Sequence, residues 1–151
     1  MKKCFLVSVV VFSMVLMLSV GNVLAVKPMT PDGIDGVKVV DAAWVKSNMD
    51  KIKVFDVRKK AEYVEAHIPG AVNVWYHEKS KKTADFDSSR DRLDLSKFPA
   101  DKNEPVIVHC NGPRCWKSYK AAVLLTRAGY KNVYWFRGGF PEWKAKGYPV
   151  E

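Results

Sequence analysis

The chain has 151 residues, 48% of them hydrophobic and 27% charged, and carries a net charge of +9. That length suits one domain with its own core. Its basic residues are interleaved with acids, which argues against a nucleic acid partner and for a basic surface with a local anion site.

Residues 1–25 read as a signal peptide outside the fold. Lys2 and Lys3 form a basic start, Phe5 to Val20 is a nearly unbroken apolar run, and Gly21 and Asn22 break it. Val23, Leu24 and Ala25 then make a small-residue cleavage signal. The run is short against the roughly 20 residues of a membrane span. Cleavage and export, to the periplasm or beyond, are therefore expected, with no membrane contact afterwards; the alternative is an uncleaved anchor. Cys4 would leave with the signal.

That leaves Cys110 and Cys115. Two cysteines in an oxidising compartment suggest a disulfide. These close a very small loop, however, so a bridge would restrict the unfolded chain little. A reactive pair, or one reactive cysteine beside a quiet one, fits better than a staple.

Residues 26–36 are rich in Pro, Gly and Asp and read as a flexible lead-in; the domain is expected over 37–150. Val37 to Val40 is a possible first strand, and Asp41 a plausible N-cap for a helix through Ala42, Trp44 and Val45. Val54 to Val57 is a second strand, Lys59 to Ala66 a short helix, and Ala71 to Val74 a third strand. Trp75 to Pro105 is polar and weakly patterned, with a hint of helix near Asp91 to Phe98. It reads as a solvated connection rather than an excursion over the active edge. Val106 to His109 is apolar enough for a strand buried on both faces. Trp116 to Ala128 is the best helix, with Tyr119, Ala122, Val123, Leu125 and Thr126 at helical spacing and Gly129 as its stop. Val133 to Phe136 is a fifth strand, and Pro141 opens a last helix that stops at Gly147 and Pro149. Short strands alternating with helices predict an α/β fold: a single domain with a mostly parallel central sheet flanked by helices.

Open α/β sheets bind ligands at the C-terminal ends of their strands. Cys110 follows the fourth strand there, and a Gly112-Pro113 loop leads into a helix. Loop N–H groups and the helix dipole favour a thiolate at Cys110. Arg114 and Lys117 add charge from the loop, and Arg58 and Arg137 follow the second and fifth strands. Four cations around one thiol suit a small doubly charged anion. For Arg58 and Arg137 the alternative is a structural ion pair with a neighbour such as Asp56 or Glu62. His109 precedes the nucleophile, but strand alternation points it away. No residue cluster has metal-ligand spacing, and no cofactor is expected.

Three segments resemble a single-domain rhodanese, a sulfurtransferase of the thiosulfate type. They are Val54 to Arg58 with Glu62 and His67 to Ala71; Val106 to Ser118; and Gly138 to Trp143, ending at Gly147 to Pro149. The resemblance implies a Cys110 persulfide. Sulfur would come from a small anionic donor such as thiosulfate and leave to a thiol or cyanide acceptor. Asn111, Gly112, Pro113, Arg114, Cys115, Trp116 and Lys117, with Arg58 and Arg137, would bind the donor and the transferred sulfur.

Many such loops carry an arginine where Cys115 stands, and this one has Arg114 a place earlier. That opens a second chemistry, in which Cys115 is a resolving thiol and the chain handles disulfides or persulfides. An inert Cys115 packing under the loop is the plainer alternative, and a non-catalytic sulfur carrier would keep the same loop. A phosphatase or arsenate reductase loop would need an arginine where Trp116 stands. Protein recovered from cells should begin within a few residues of Val26. N-terminal sequencing that finds Lys2 and Lys3 on membrane-bound material would instead establish the anchor.

Overall fold

The computed structural model describes residues 27–151. The expected signal peptide lies outside the described residues, as does Val26. Five parallel strands form one sheet in the order β1-β5-β4-β2-β3. Strand β1 is Val37–Val40, β2 Lys53–Asp56, β3 Val72–Asn73, β4 Val106–His109 and β5 Val133–Phe136. Helices α1 (Ala42–Asn48), α2 (Lys60–Glu65), α3 (Trp116–Arg127) and α4 (Gly139–Ala145) complete the domain. The expected α/β architecture holds, and the sheet is parallel throughout. Strand β2 begins one residue earlier than expected and β3 is shorter. Helix α4 starts before Pro141, which sits in the first turn, where a missing N–H breaks no helical bond.

Strand β4 lies at the centre, and all four of its residues are buried. Alternation sends Val106 and Val108 to one face, where they meet Tyr119, Ala122 and Leu125 of α3 and Trp135 of β5. Ile107 points the other way, into Val45 of α1 and Phe140 and Trp143 of α4. Asp41 caps α1 as expected, its carboxylate accepting the Trp44 N–H at 2.8 Å.

The connection between β3 and β4 is not merely solvated. Tyr76, Phe86 and Phe98 are buried, and Phe86 and Phe98 join the α3-side core. Of the weak helix expected near Asp91 to Phe98 one 3-10 turn forms, Leu95–Lys97, capped by Asp94; a second turn, Ser88–Arg90, capped by Asp87, precedes it. A buried charge explains the anchoring. Lys120 of α3 is fully buried, and a buried ammonium is tolerated only with partners. The connection supplies them: Glu78 at 2.9 Å, the Ser80 hydroxyl at 2.8 Å and Asp91 at 3.7 Å. Burial alone would raise the Asp91 carboxyl. Bonds from Ser80, Lys79 and Tyr76 outweigh it and hold the group below its usual range.

His109 is fully buried on the side away from the following cysteine. Its Nε2 lies 3.8 Å from Asp56 Oδ2, and neither ring nitrogen has a hydrogen-bond partner among the described residues. Burial lowers its pKa below the ordinary 6.5. Below that value the unfolded chain takes a proton that the native imidazole refuses, so stability is kept above about pH 6.5 and falls as the pH drops. The slope from this one group is at most about 1.4 kcal/mol per pH unit. Denaturant unfolding between about pH 7 and 5 should show that slope, and His109→Leu should flatten it.

Candidate active site

Cys110 stands one residue past β4, at the C-terminal edge of the sheet, as its sequence position predicts. The chain then curls back on itself: the Cys115 N–H donates to the Gly112 carbonyl at 2.9 Å, and Cys115 becomes the residue before α3. Both cysteines are free thiols. Behind the curl, the Phe140 N–H donates to the Cys110 carbonyl at 2.9 Å. The approach is so close that a Cβ on Gly139 would collide with that carbonyl, and Gly139 also holds φ +60°. Gly112, at φ +87°, faces the Gly138 carbonyl in the same contact.

Inside the loop Cys110 is completely buried. Its Sγ lies 3.2 Å from the Cys115 carbonyl oxygen and 3.0 Å from the Ser118 hydroxyl. The Trp135 indole N–H donates to that hydroxyl at 3.0 Å, which leaves the Ser118 O–H available to donate to the sulfur. Burial nonetheless pushes the Cys110 thiol well above its ordinary value, and the Ser118 bonds only partly offset it. The Cys115 side chain packs in the same cluster as Cys110, and a hydrogen bond from Cys110 favours its charged form. That bond, the N–H groups of Asn111 and Lys117 and the Lys117 charge outweigh burial and bring Cys115 down to about 7. The loop therefore favours the charged form at Cys115 more than at Cys110. The reason is depth: Cys110 has no solvent contact, whereas Cys115 is only partly buried.

The other expected site residues divide. Arg114 is exposed and Lys117 half-buried, beside the thiols. The Asn111 amide donates to Glu62 Oε1 at 2.5 Å, tying the loop to α2. Trp116 is buried in the core, where it meets Tyr119 edge-on. Arg58 is engaged in structure: its Nη2 meets Asp56 at 2.6 Å and the Ala66 carbonyl at 2.8 Å, and its guanidinium covers the Phe140 ring at 4.0 Å. Arg137 donates to the Pro31 and Thr30 carbonyls at 3.1 and 2.8 Å and pairs with Asp32 at 3.0 Å. For both arginines the structural alternative prevails over donor binding.

Arg137 also corrects the reading of 26–36. Its described part is a strap seated on the cysteine loop rather than a flexible lead-in. Thr30 gives both its N–H and its hydroxyl to the Pro113 carbonyl, at 2.8 and 2.9 Å, and the Trp116 indole donates to Pro28 at 2.9 Å. Nothing in the Pro/Gly/Asp composition of this stretch signals those partners, which lie more than eighty residues away. Among the described residues, no group of three or more His, Cys, Asp or Glu is placed to hold a metal ion. No helix there is long and apolar enough to cross a membrane.

A cysteine loop thus joins a central parallel strand to a helix at the sheet's C-terminal edge, where open α/β sheets bind ligands. The model of the rhodanese-like domain matches residues 41–146, and the chain belongs to that family. It is 32% identical over 103 residues to thiosulfate sulfurtransferase GlpE of Coxiella burnetii, covering 68% of this chain and 81% of that one. It is 31% identical over 128 residues to rhodanese-like domain-containing protein 14, chloroplastic, of Arabidopsis thaliana. That match covers 65% of this chain and spans only 57% of the plant protein. Among solved structures, the BH2092 protein of Bacillus halodurans matches with a TM-score of 0.59 and 25% identity, over 76% of each chain. Family and relatives together support a sulfurtransferase at the family level.

Gly139→Ala should separate the two loops. A Cβ there meets backbone rather than a pliant side chain, and the positive φ adds strain. Denaturant unfolding should show a loss of about 2 kcal/mol or more.

Proposed function

We propose that this chain is an exported sulfurtransferase that carries sulfane sulfur on Cys110. The donor is a small anion of the thiosulfate kind, and the acceptor a thiol or cyanide. In the first step the Cys110 proton passes to the Cys115 thiolate. The Cys110 thiolate then attacks the outer sulfur of the donor. A bond forms from Sγ to that sulfur, the donor S–S bond breaks, and sulfite leaves with the electron pair. An acceptor later takes the outer sulfur and returns the Cys110 thiolate, which makes the cycle two-step and covalent.

The observation that carries this reading is the seat of the Cys110 sulfur. It is closed off from solvent at the end of β4, with the Ser118 hydroxyl 3.0 Å away and the Ser118 N–H also upon it. Such donors stabilise a thiolate or persulfide once formed, and exclusion of water protects it from side reactions. Arg114 and Lys117 give an anionic donor its approach from the loop side. Residues 1–25 support the exported location.

Cys110→Ser should keep the fold, because the hydroxyl can replace the thiol beside Ser118. Thiosulfate:cyanide activity should fall on the order of 10³-fold or more, as for loss of a covalent nucleophile. Activity within a few-fold of the wild type would sink the Cys110 assignment.

A further inference from the structure

Two thiols in contact at the centre of one loop exceed what simple sulfur transfer needs. Cys110 is sealed from solvent, and Cys115 lies between it and the surface. The Cys115 carbonyl is 3.2 Å from the Cys110 sulfur, and the two side chains pack in one cluster with Val57, Tyr76 and Ala121. Any persulfide on Cys110 is thus formed beside a second sulfur that is already in place. Cys115 takes N–H groups from Asn111 and Lys117 and faces the Lys117 charge, which favours its nucleophilic form.

We propose that Cys115 is an internal acceptor: it attacks Sγ of the Cys110 persulfide, closes a Cys110–Cys115 disulfide and releases the sulfane sulfur as hydrogen sulfide. The proposal rests on the Cys110 persulfide of the preceding reading. Before the attack, Cys115 hands the proton it received from Cys110 to the outer persulfide sulfur. The new bond joins Cys115 Sγ to Cys110 Sγ, and the bond between Cys110 Sγ and the outer sulfur breaks. Hydrosulfide leaves with the electron pair and the proton. Two thiols are oxidised and one sulfane sulfur is reduced, so no outside oxidant is needed. Attack falls on the inner sulfur because Cys115 packs in the same cluster as that atom, with its carbonyl 3.2 Å away. Departure is favoured because hydrosulfide is a better leaving group than an alkyl thiolate, being the weaker base. The chemical class is then persulfide reduction, with one sulfide per chain until an external dithiol reopens the bridge.

The test uses the full chain, reduced, freed of reductant and mixed with thiosulfate in the absence of cyanide or added thiol. Sulfite and sulfide are measured in solution, and trypsin separates the two cysteines of open chains by cutting after Arg114. Wild type should release sulfite and sulfide in equal amounts and lose about 2 Da, the mark of a disulfide. Cys115→Ser, which lacks the group that takes the Cys110 proton, should release sulfite more slowly than wild type and release no sulfide. Its Cys110 peptide should retain about 32 Da of added sulfur, with a lifetime lengthened roughly tenfold or more. Sulfite without sulfide from the wild type, with persulfide as durable as in Cys115→Ser, overturns the internal acceptor and leaves the sulfurtransferase reading standing. Neither product from the wild type overturns both. Because sulfide release is read on the wild type itself, the result does not depend on whether Cys115→Ser folds.

Discussion

The Phe140 N–H reaches the Cys110 carbonyl at 2.9 Å, and the geometry of the active edge depends on how near that brings two backbones. Parallel neighbours β4 and β5 end side by side, so the loops that leave them must either diverge or interlock. They interlock because Gly139 offers no side chain where the cysteine loop presses against it. With its first carbonyl held, the loop can curl until Cys115 bonds Gly112, and that curl places one cysteine beneath the other. Gly139 is thus a steric condition for the cysteine site.

In that arrangement the two thiols diverge through burial, hydrogen bonding and charge. Both are cysteines on one loop, yet burial pushes one upward while N–H groups and a lysine draw the other down. Ser118 extends the arrangement inward, since the Trp135 indole occupies its acceptor side and frees its O–H for the sulfur. A persulfide on Cys110 would inherit that donor at no cost of rearrangement.

Much of this was legible before any coordinates. The four-residue runs at Val37, Val106 and Val133 became strands with the expected bounds, because short apolar segments between polar turns leave little freedom of assignment. The rhodanese signatures located the cysteine loop for the same reason: local order in the chain sets strand, loop and helix. What stayed hidden was pairing over long separations. Lys120 falls between core positions of α3 by its spacing, and only its ion pair with Glu78 and its contact with Ser80 show why it is buried. Thr30 and Pro28 sit in a stretch whose composition signals mobility, and tertiary hydrogen bonds override it. Depth was hidden as well. Position after a strand predicts that Cys110 meets loop N–H groups, but says nothing of the layer that seals it.

The two arginines show how a correct placement can carry a different role. Arg58 and Arg137 do follow β2 and β5 on the active edge. A guanidinium has five donors in a rigid fork, however, and at a partly buried edge those donors must be met. For Arg58 the nearest acceptors are Asp56, two residues back, and the Ala66 carbonyl past α2, so it fastens β2 to the α2 turn. For Arg137 they are the Thr30 and Pro31 carbonyls, so it fastens the strap. The strap in turn holds the Pro113 carbonyl through Thr30. Arg137 therefore acts on the cysteine loop at second hand, by fixing the segment that grips it. The cations left beside the thiols are Arg114 and Lys117, both carried by the loop and the first turn of α3. Any change in that loop's curl would move the two thiols and these cations together.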